Sequence, residues 1–509
     1  MTRTEQAKNP RVDQEIDRRR SGRKSSVLLL YTGGTIGSVR MNPENREDPL
    51  VPGDAKQLLD KLPIVGDSCL RLGGRLVSLE VIRFDPLLDS AEIGPSDWVR
   101  IARLIEDRYN DHAGFVILHG TDTMAFTASA LAFMFENLTK PIVITGAQRP
   151  IGDTRSDASQ NIVTAIEIAG ASVIGGVVVP EVTVYFRDRL YRGCRVTKRS
   201  AEDYHAFHSP NQLALGNAGA AVEIIEPLIR RPSDRRLRVH KELDQSIAVL
   251  ELSPLMNYEM LACLLQTKDL HGLILKTYGA GNAPTDPRFL DILGEAIERG
   301  VKVVAVTQCS SGTVKLGRYE VSVGLLERGV ISGLDLTSEA AQTKMAVLLK
   351  DRTLTDRVED LMQVNLRGEM DLSLFDVKFG SGVARPTATV WQDGKFPAPE
   401  WYRKGDIREA KLRMLGIEIE SDDPKRPVRA QAHLNDSDAE SGDPPDPGNA
   451  IPFLIHPASI FRGRLNAFVD VTDAVEGSID PARVNSVTLV CEEGQSITWS
   501  SLSLAIFRA

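Results

Sequence analysis

The sequence predicts an α/β protein: two domains built on mostly parallel sheets flanked by helices, then a small β-rich accessory region toward the C-terminal end. Three observations carry this expectation. Short runs rich in Val, Ile and Leu, without strict alternation, recur between helical stretches, as strands buried on both faces do. At 509 residues the chain is too long for one ordinary core. Its last part also changes character, from alternating strands and helices to strand-like pieces broken by turn residues.

Residues 1–24 are polar and mixed in charge (Arg18-Arg19-Arg20, Arg23-Lys24) and are expected to form a disordered tail. A first domain, 25–226, draws strands from Val27–Tyr31, Phe115–His119, Pro141–Thr145 and Val173–Val179. Its helices are Asp97–Tyr109, entered through Gly94-Pro95-Ser96, and Thr123–Asn137. Residues 227–243, dense in proline, arginine and charge, read as a linker. A second domain, 244–384, repeats the alternation with strands Ile247–Leu252, Gly272–Thr277 and Val301–Thr307. Its helices are Leu255–Thr267, Arg288–Arg299, Ser338–Lys350 and Asp356–Val364. Residues 385–450 are expected to be an extension with a flexible linker, because Glu418–Asn449 is dense in Asp, Ser and Pro. Residues 451–509 close the chain as an accessory β-rich domain, with strands at Ala467–Thr472, Ser486–Cys491 and Ser496–Phe507.

Composition narrows the function classes. Hydrophobic residues at 42% and charged residues at 26% fit a soluble globular protein. A formal charge of -8 argues against nucleic acid as a partner, since phosphate binding wants a basic surface. No apolar run approaches a bilayer span, so no membrane partner is expected. Val27–Tyr31 is too short for a signal-peptide core. The five cysteines, Cys69, Cys194, Cys263, Cys309 and Cys491, are odd in number and scattered, and the eight histidines lack HExxH spacing. A cytoplasmic protein using neither metal nor organic cofactor is the expectation.

Two threonine-bearing motifs follow predicted strands directly. In Tyr31-Thr32-Gly33-Gly34-Thr35-Ile36-Gly37, the glycines allow a sharp turn and close approach of a ligand. A plain strand-to-loop turn fits equally, whereas a phosphate loop would need a Gly-Lys-Ser/Thr ending that is missing. In His119-Gly120-Thr121-Asp122-Thr123, Thr121 and Asp122 fall between a strand's carboxyl end and a helix's amino end, where ligands of open α/β sheets bind. Helix capping by Thr121–Thr123 is the competing reading. His119, with no identifiable partner, reads as structural. A threonine hydroxyl needs a proton acceptor. Lys198 in Arg195-Val196-Thr197-Lys198 can serve if the fold buries it, and is otherwise an ordinary surface lysine.

Together these motifs resemble the bacterial-type L-asparaginase family, cytosolic type I branch. The likeness runs from about Ser25 to Gly368 and includes Asp89-Ser90, Leu190-Tyr191-Arg192-Gly193, Thr197-Lys198, Tyr278-Gly279-Ala280-Gly281-Asn282, Thr307-Gln308-Cys309 and Asn365-Leu366-Arg367-Gly368-Glu369. The resemblance implies the two-domain asparaginase architecture and hydrolysis of L-asparagine to L-aspartate and ammonia through a β-aspartyl ester. It makes Thr35 the nucleophile, with Thr121, Asp122 and Lys198 managing the proton. Asp89, Ser90, Thr121 and Asp122 would bind the substrate, as would Asn282, lent by a neighbouring subunit of a homodimer or homotetramer. Thr307 and Cys309 match positions near an effector pocket of some type I members, although a core or strand-end role suits them better. The sequence departs from many relatives in one respect: the lid segment Val39–Gly53 contains no tyrosine. Two alternatives follow, an amidohydrolase acting on glutamine or on a modified or larger amide, and a non-catalytic asparagine sensor or scaffold.

Overall fold

The structure is a computed structural model that describes residues 15–16, 26–40, 50–53, 60, 62, 64–65, 69–72, 74–384, 387–391, 407–421, 428–434, 450–455, 465–471, 486–491 and 495–508. It divides into two compact units. One comprises 1–245, 336–351 and 367–369; the other comprises 246–335, 352–366 and 370–509.

In the first unit a mixed sheet is parallel at its centre, in the order Val182–Phe186, Ile142–Thr145, Gly114–Leu118, Ser26–Gly33, Arg75–Leu88. Val27 through Tyr31 are each 0% exposed, because helices or further chain cover both faces. That is why the run cannot alternate, and each such side chain contributes roughly 1.5–3 kcal/mol of burial. The expected strand Val173–Val179 is not one. Ala171–Ile174 is a helical turn ended by Gly175 at φ 82°, and the strand pairing with Ile142–Thr145 is Val182–Phe186. The Gly175-Gly176 step breaks the apolar run before it can extend. The long strand Arg75–Leu88, beside Ser26–Gly33, had no sequence counterpart.

The helix Met124–Met134 is apolar on every side and buried throughout except at Phe126. Such a helix needs neighbours all round. Ser338–Lys350, expected in the second domain, packs against it and belongs to the first unit. The segment expected to be a linker is likewise tied into this unit. Arg238–Val239 pairs with Phe135–Glu136, and His240 meets Asp351 at 2.7 Å and Glu136 at 3.2 Å. Within the expected tail, Glu15–Ile16 pairs with Val81 and Ile82; the other residues of 1–24 lie outside the described residues.

The second unit carries a parallel sheet in the order Ile247–Glu251, Gly272–Thr277, Lys302–Thr307, Ile331–Ser332. Helices Tyr258–Leu265 and Pro287–Glu298 accompany it, capped by Asn257 and Asp286. The β-rich region starts at Ser373, well before residue 451. Among the described residues it forms two antiparallel sheets. One runs Ser373–Ala384, Gln495–Arg508, Ile407–Ser421, Leu465–Asp470; the other runs Thr387–Trp391, Ser486–Cys491, Val428–Leu434, Ile451–Ile455. Leu412, Met414, Leu489, Trp499, Leu502 and Leu504 fill the space between them. Two of these strands, Ile407–Ser421 and Val428–Leu434, reach into the stretch expected to be loop. Their partners are distant in sequence, so the local Asp, Ser and Pro content hid them. The remainder of that stretch, 422–427 and 435–449, lies outside the described residues.

Candidate active site

Loops leaving the carboxyl ends of adjacent parallel strands carry the candidate residues of the first unit, and contacts at glycine lock these loops together. Gly33, at φ 127°, lies so close to Leu88 that a Cβ there would fall 2.2 Å from its carbonyl oxygen. Gly34, at φ 88°, presses on Gly120 with 2.4 Å between a built Cβ and the Gly120 nitrogen. A Cβ at Gly120 would in turn meet Ser90 Oγ at 2.5 Å. No side chain fits in these places, which is why glycine occupies them. As a result, the loops bearing Thr35, Thr121 and Asp89-Ser90 converge. Thr35 opens a short 3-10 turn, Thr35–Gly37, and is partly exposed. Asp89 is exposed and accepts from Ala91 N at 2.8 Å, while Ser90 is 3% exposed.

Lys198 comes from a small hairpin in which Thr197–Lys198 pairs with Phe207–His208. Thr197 Oγ1 anchors it by donating to Glu339 at 2.6 Å. Lys198 Nζ donates to Thr121 Oγ1 at 2.9 Å and to Asp122 Oδ1 at 2.6 Å. The lysine side chain is 18% exposed and that of Asp122 is 66% exposed, so the row is open at the carboxylate end. The capping alternative fails for this motif: Thr123 makes no side-chain cap, and its hydroxyl donates to Ser90 O at 2.5 Å.

Two residues extend this picture. Gln148, in the loop after Ile142–Thr145, was not singled out by its sequence, because a lone glutamine carries no motif. Its Oε1 lies 3.5 Å from Thr121 Oγ1. His119 does have partners: its Nε2 meets Thr127 Oγ1 at 2.9 Å, and Thr127 Oγ1 also accepts from Trp98 Nε1 at 2.9 Å. Nδ1 lies 2.6 Å from Gly120 O. Burial pushes this imidazole down to about 4, which keeps it neutral as a strut beneath the Thr121 loop.

Tyr31, near the end of the strand before the Thr35 loop, faces the interior. It is 0% exposed, lies against Gly37, and donates from its hydroxyl to Gly53 O at 3.4 Å. Of the lid segment, Ser38–Arg40 pairs with Leu50–Pro52, and residues 41–49 lie outside the described residues. Asn282 belongs to the second unit. It closes a tight turn on Tyr278 through Gly279 and Gly281, both at positive φ, and its Oδ1 is buried without a hydrogen-bond partner. Thr307 sits at a strand end, where its Oγ1 accepts from Cys309 N at 3.0 Å. Among the described residues, no His/Cys/Asp/Glu cluster could hold a metal ion, and no helix is long and apolar enough to cross a membrane.

A hydroxyl, an amine and a carboxylate in one hydrogen-bonded row, at the strand ends of an α/β sheet, form the equipment of a hydroxyl-using hydrolase. Comparison with known proteins specifies the family. The Asparaginase, N-terminal model matches residues 26–230, and the Glutaminase/Asparaginase C-terminal domain model matches 246–362. The chain is 39% identical over 349 residues to L-asparaginase 1 of Escherichia coli, covering 68% of this chain and 98% of that protein. It is 37% identical over 367 residues to a human protein named 60 kDa lysophospholipase, covering 69% and 62% respectively. The crystal structure of L-asparaginase I from Vibrio cholerae superposes with a TM-score of 0.60 at 38% identity, covering 68% of this chain and 99% of that one. The chain belongs to the asparaginase family.

Proposed function

We propose that the chain hydrolyses L-asparagine to L-aspartate and ammonia, with Thr35 as nucleophile and a β-aspartyl ester as intermediate. Family membership and the relatives named L-asparaginase support the reaction. One observation carries the division of roles: Lys198 Nζ bridges Thr121 at 2.9 Å and Asp122 at 2.6 Å.

Thr35 Oγ attacks the side-chain carboxamide carbon, and the Thr121–Lys198 row takes its proton and returns it to the nitrogen. The C–N bond then breaks and ammonia leaves. Water attacks the ester carbon, one of its protons goes to Thr35 Oγ, and the C–O bond breaks to free aspartate. Asp122, open to solvent, attracts the substrate's α-ammonium; Ser90, with Asp89 beside it, serves the α-carboxylate. Asn282 completes the site from a neighbouring copy in a homodimer or homotetramer, as the family resemblance implies. Cytoplasmic residence belongs to the same reading and suits five cysteines that are all free. Glutamine, or a larger amide, remains the second reading, prompted by the tyrosine-free lid and by a C-terminal model named for both amides.

The test is ammonia release from L-asparagine, L-glutamine and D-asparagine by the full chain, without and with chelator. The expected result is chelator-insensitive turnover of L-asparagine that falls by on the order of a thousandfold in both Thr35→Ala and Thr121→Ala. Asparagine binding without turnover by the wild type would replace the enzyme reading with a sensor. Wild-type turnover in Thr121→Ala would remove the proton role of that residue.

A further inference from the structure

We propose that Gln148 is a positioning residue for Thr121 and fastens the loop 199–206 to the site. The inference rests on the hydrolase reading above and assigns a role to a residue outside the Thr35, Thr121, Asp122 and Lys198 set.

The side-chain amide of Gln148 is oriented by its surroundings. Nε2 donates to Ala201 O at 3.1 Å and to Asp203 O at 2.9 Å. An amide nitrogen has two hydrogens, so both are committed to this loop, and the flipped amide would set Oε1 against two carbonyl oxygens. Oε1 is thereby turned to Thr121 Oγ1, 3.5 Å away. In the resting protein Lys198 donates to one lone pair of that hydroxyl, so its proton points to Gln148 Oε1, and it turns to the lysine amine when the row takes up the Thr35 proton. The separation is long for a hydrogen bond in the resting protein, as catalytic contacts often are before substrate draws them in.

The backbone beneath Gln148 is held as firmly. Asp157, 5% exposed, accepts from the nitrogens of Gln148 and Arg149 at 3.1 to 3.2 Å. Asn161 Nδ2 donates to Gly146 O at 2.9 Å. The gripped loop is braced internally, with Ser200 Oγ accepting from Glu202 N and Asp203 N and with Asp203 Oδ1 accepting from His205 N. It joins the two arms of the hairpin that carries Lys198. One amide therefore orients the Thr121 proton and clamps the loop that follows Lys198.

Two variants separate these functions. Gln148→Met keeps the length but removes acceptor and donors; Gln148→Glu keeps an acceptor toward Thr121 but loses the donors. On L-asparagine, Gln148→Met is expected to lower kcat about ten- to a hundredfold with KM changed less than about threefold. Gln148→Glu is expected to retain more kcat than Gln148→Met, while amide hydrogen exchange across 199–206 quickens in both. Unchanged kcat in Gln148→Met, or a loss that tracks KM or melting temperature instead, overturns the proposal. So does unchanged exchange in 199–206, a readout that needs no turnover. A wild-type chain inactive on every amide tested strikes the hydrolase reading, while exchange still decides whether Gln148 clamps the loop.

Discussion

Two lysine–carboxylate pairs in the first unit have the same length and different surroundings. Lys198–Asp122 and Lys344–Glu369 both close at 2.6 Å. The first pair is 18% and 66% exposed; the second is 0% exposed at both ends. Burial pushes the Lys344 ammonium below its usual range, and the Glu369 carboxylate opposes that shift. The buried pair joins the helix Ser338–Lys350 to the segment 367–369, pieces of chain separated in sequence from the rest of their unit. It works as a fastener. The open pair shares its amine with a threonine hydroxyl and presents its carboxylate to solvent, which fits the proton role proposed for it. Distance alone does not distinguish a fastener from a working pair; exposure and the third group within reach do.

The comparison breaks if the two lysines respond alike to removal. Lys198→Met is expected to lower kcat by on the order of a hundred- to ten-thousandfold while changing unfolding free energy by less than about 1 kcal/mol, since its partner is exposed. Ammonia release and urea denaturation, run on the same preparation, read both. Lys344→Met leaves a buried carboxylate without its ammonium partner and is expected to cost about 3–5 kcal/mol, with part of the loss recovered in Lys344→Met/Glu369→Gln. If the double variant is no more stable than the single, the pair is not what holds these segments.

His119 sharpens the contrast, because it is buried without a charged partner at hydrogen-bond distance. Its folded pKa, about 4, is below the ordinary 6.5, so the unfolded chain takes up the proton first as pH falls. Its contribution is therefore complete above about pH 6.5 and is lost progressively toward pH 4, by up to roughly 3 kcal/mol. Urea midpoints at pH 7, 6 and 5 are expected to fall less steeply in His119→Gln. Parallel slopes would mean that another group governs the acid side.

Much of the site was legible before any coordinates. The glycines of residues 33, 34 and 120 and the threonines at 35 and 121 stand out locally, although a plain turn and a helix cap explain them as well until the family resemblance is added. Lys198 was legible only through resemblance, for nothing in Arg195-Val196-Thr197-Lys198 distinguishes it from a surface lysine until the hairpin brings it to Thr121. Gln148 and Thr127 were silent, since their roles lie in partners 27 and 8 residues away. The apolar run over 173–179 has the composition of a strand, as Val182–Phe186 does; the glycines at 175 and 176 end the first, and pairing with Ile142–Thr145 makes a strand of the second.

The sequence by itself determined the class of fold and the chemical repertoire. Burial on both faces demands unbroken apolar strands, and the close approach of loop backbones at residues 33, 34 and 120 demands glycine. Tertiary structure decided which polar groups meet and which are shut away. Hydrogen bonds and ion pairs act over about 3 Å, and the residues they join here stand 76 or 77 positions apart, between Lys198 and its partners. No local pattern encodes such a meeting; the packing of strands and loops brings it about.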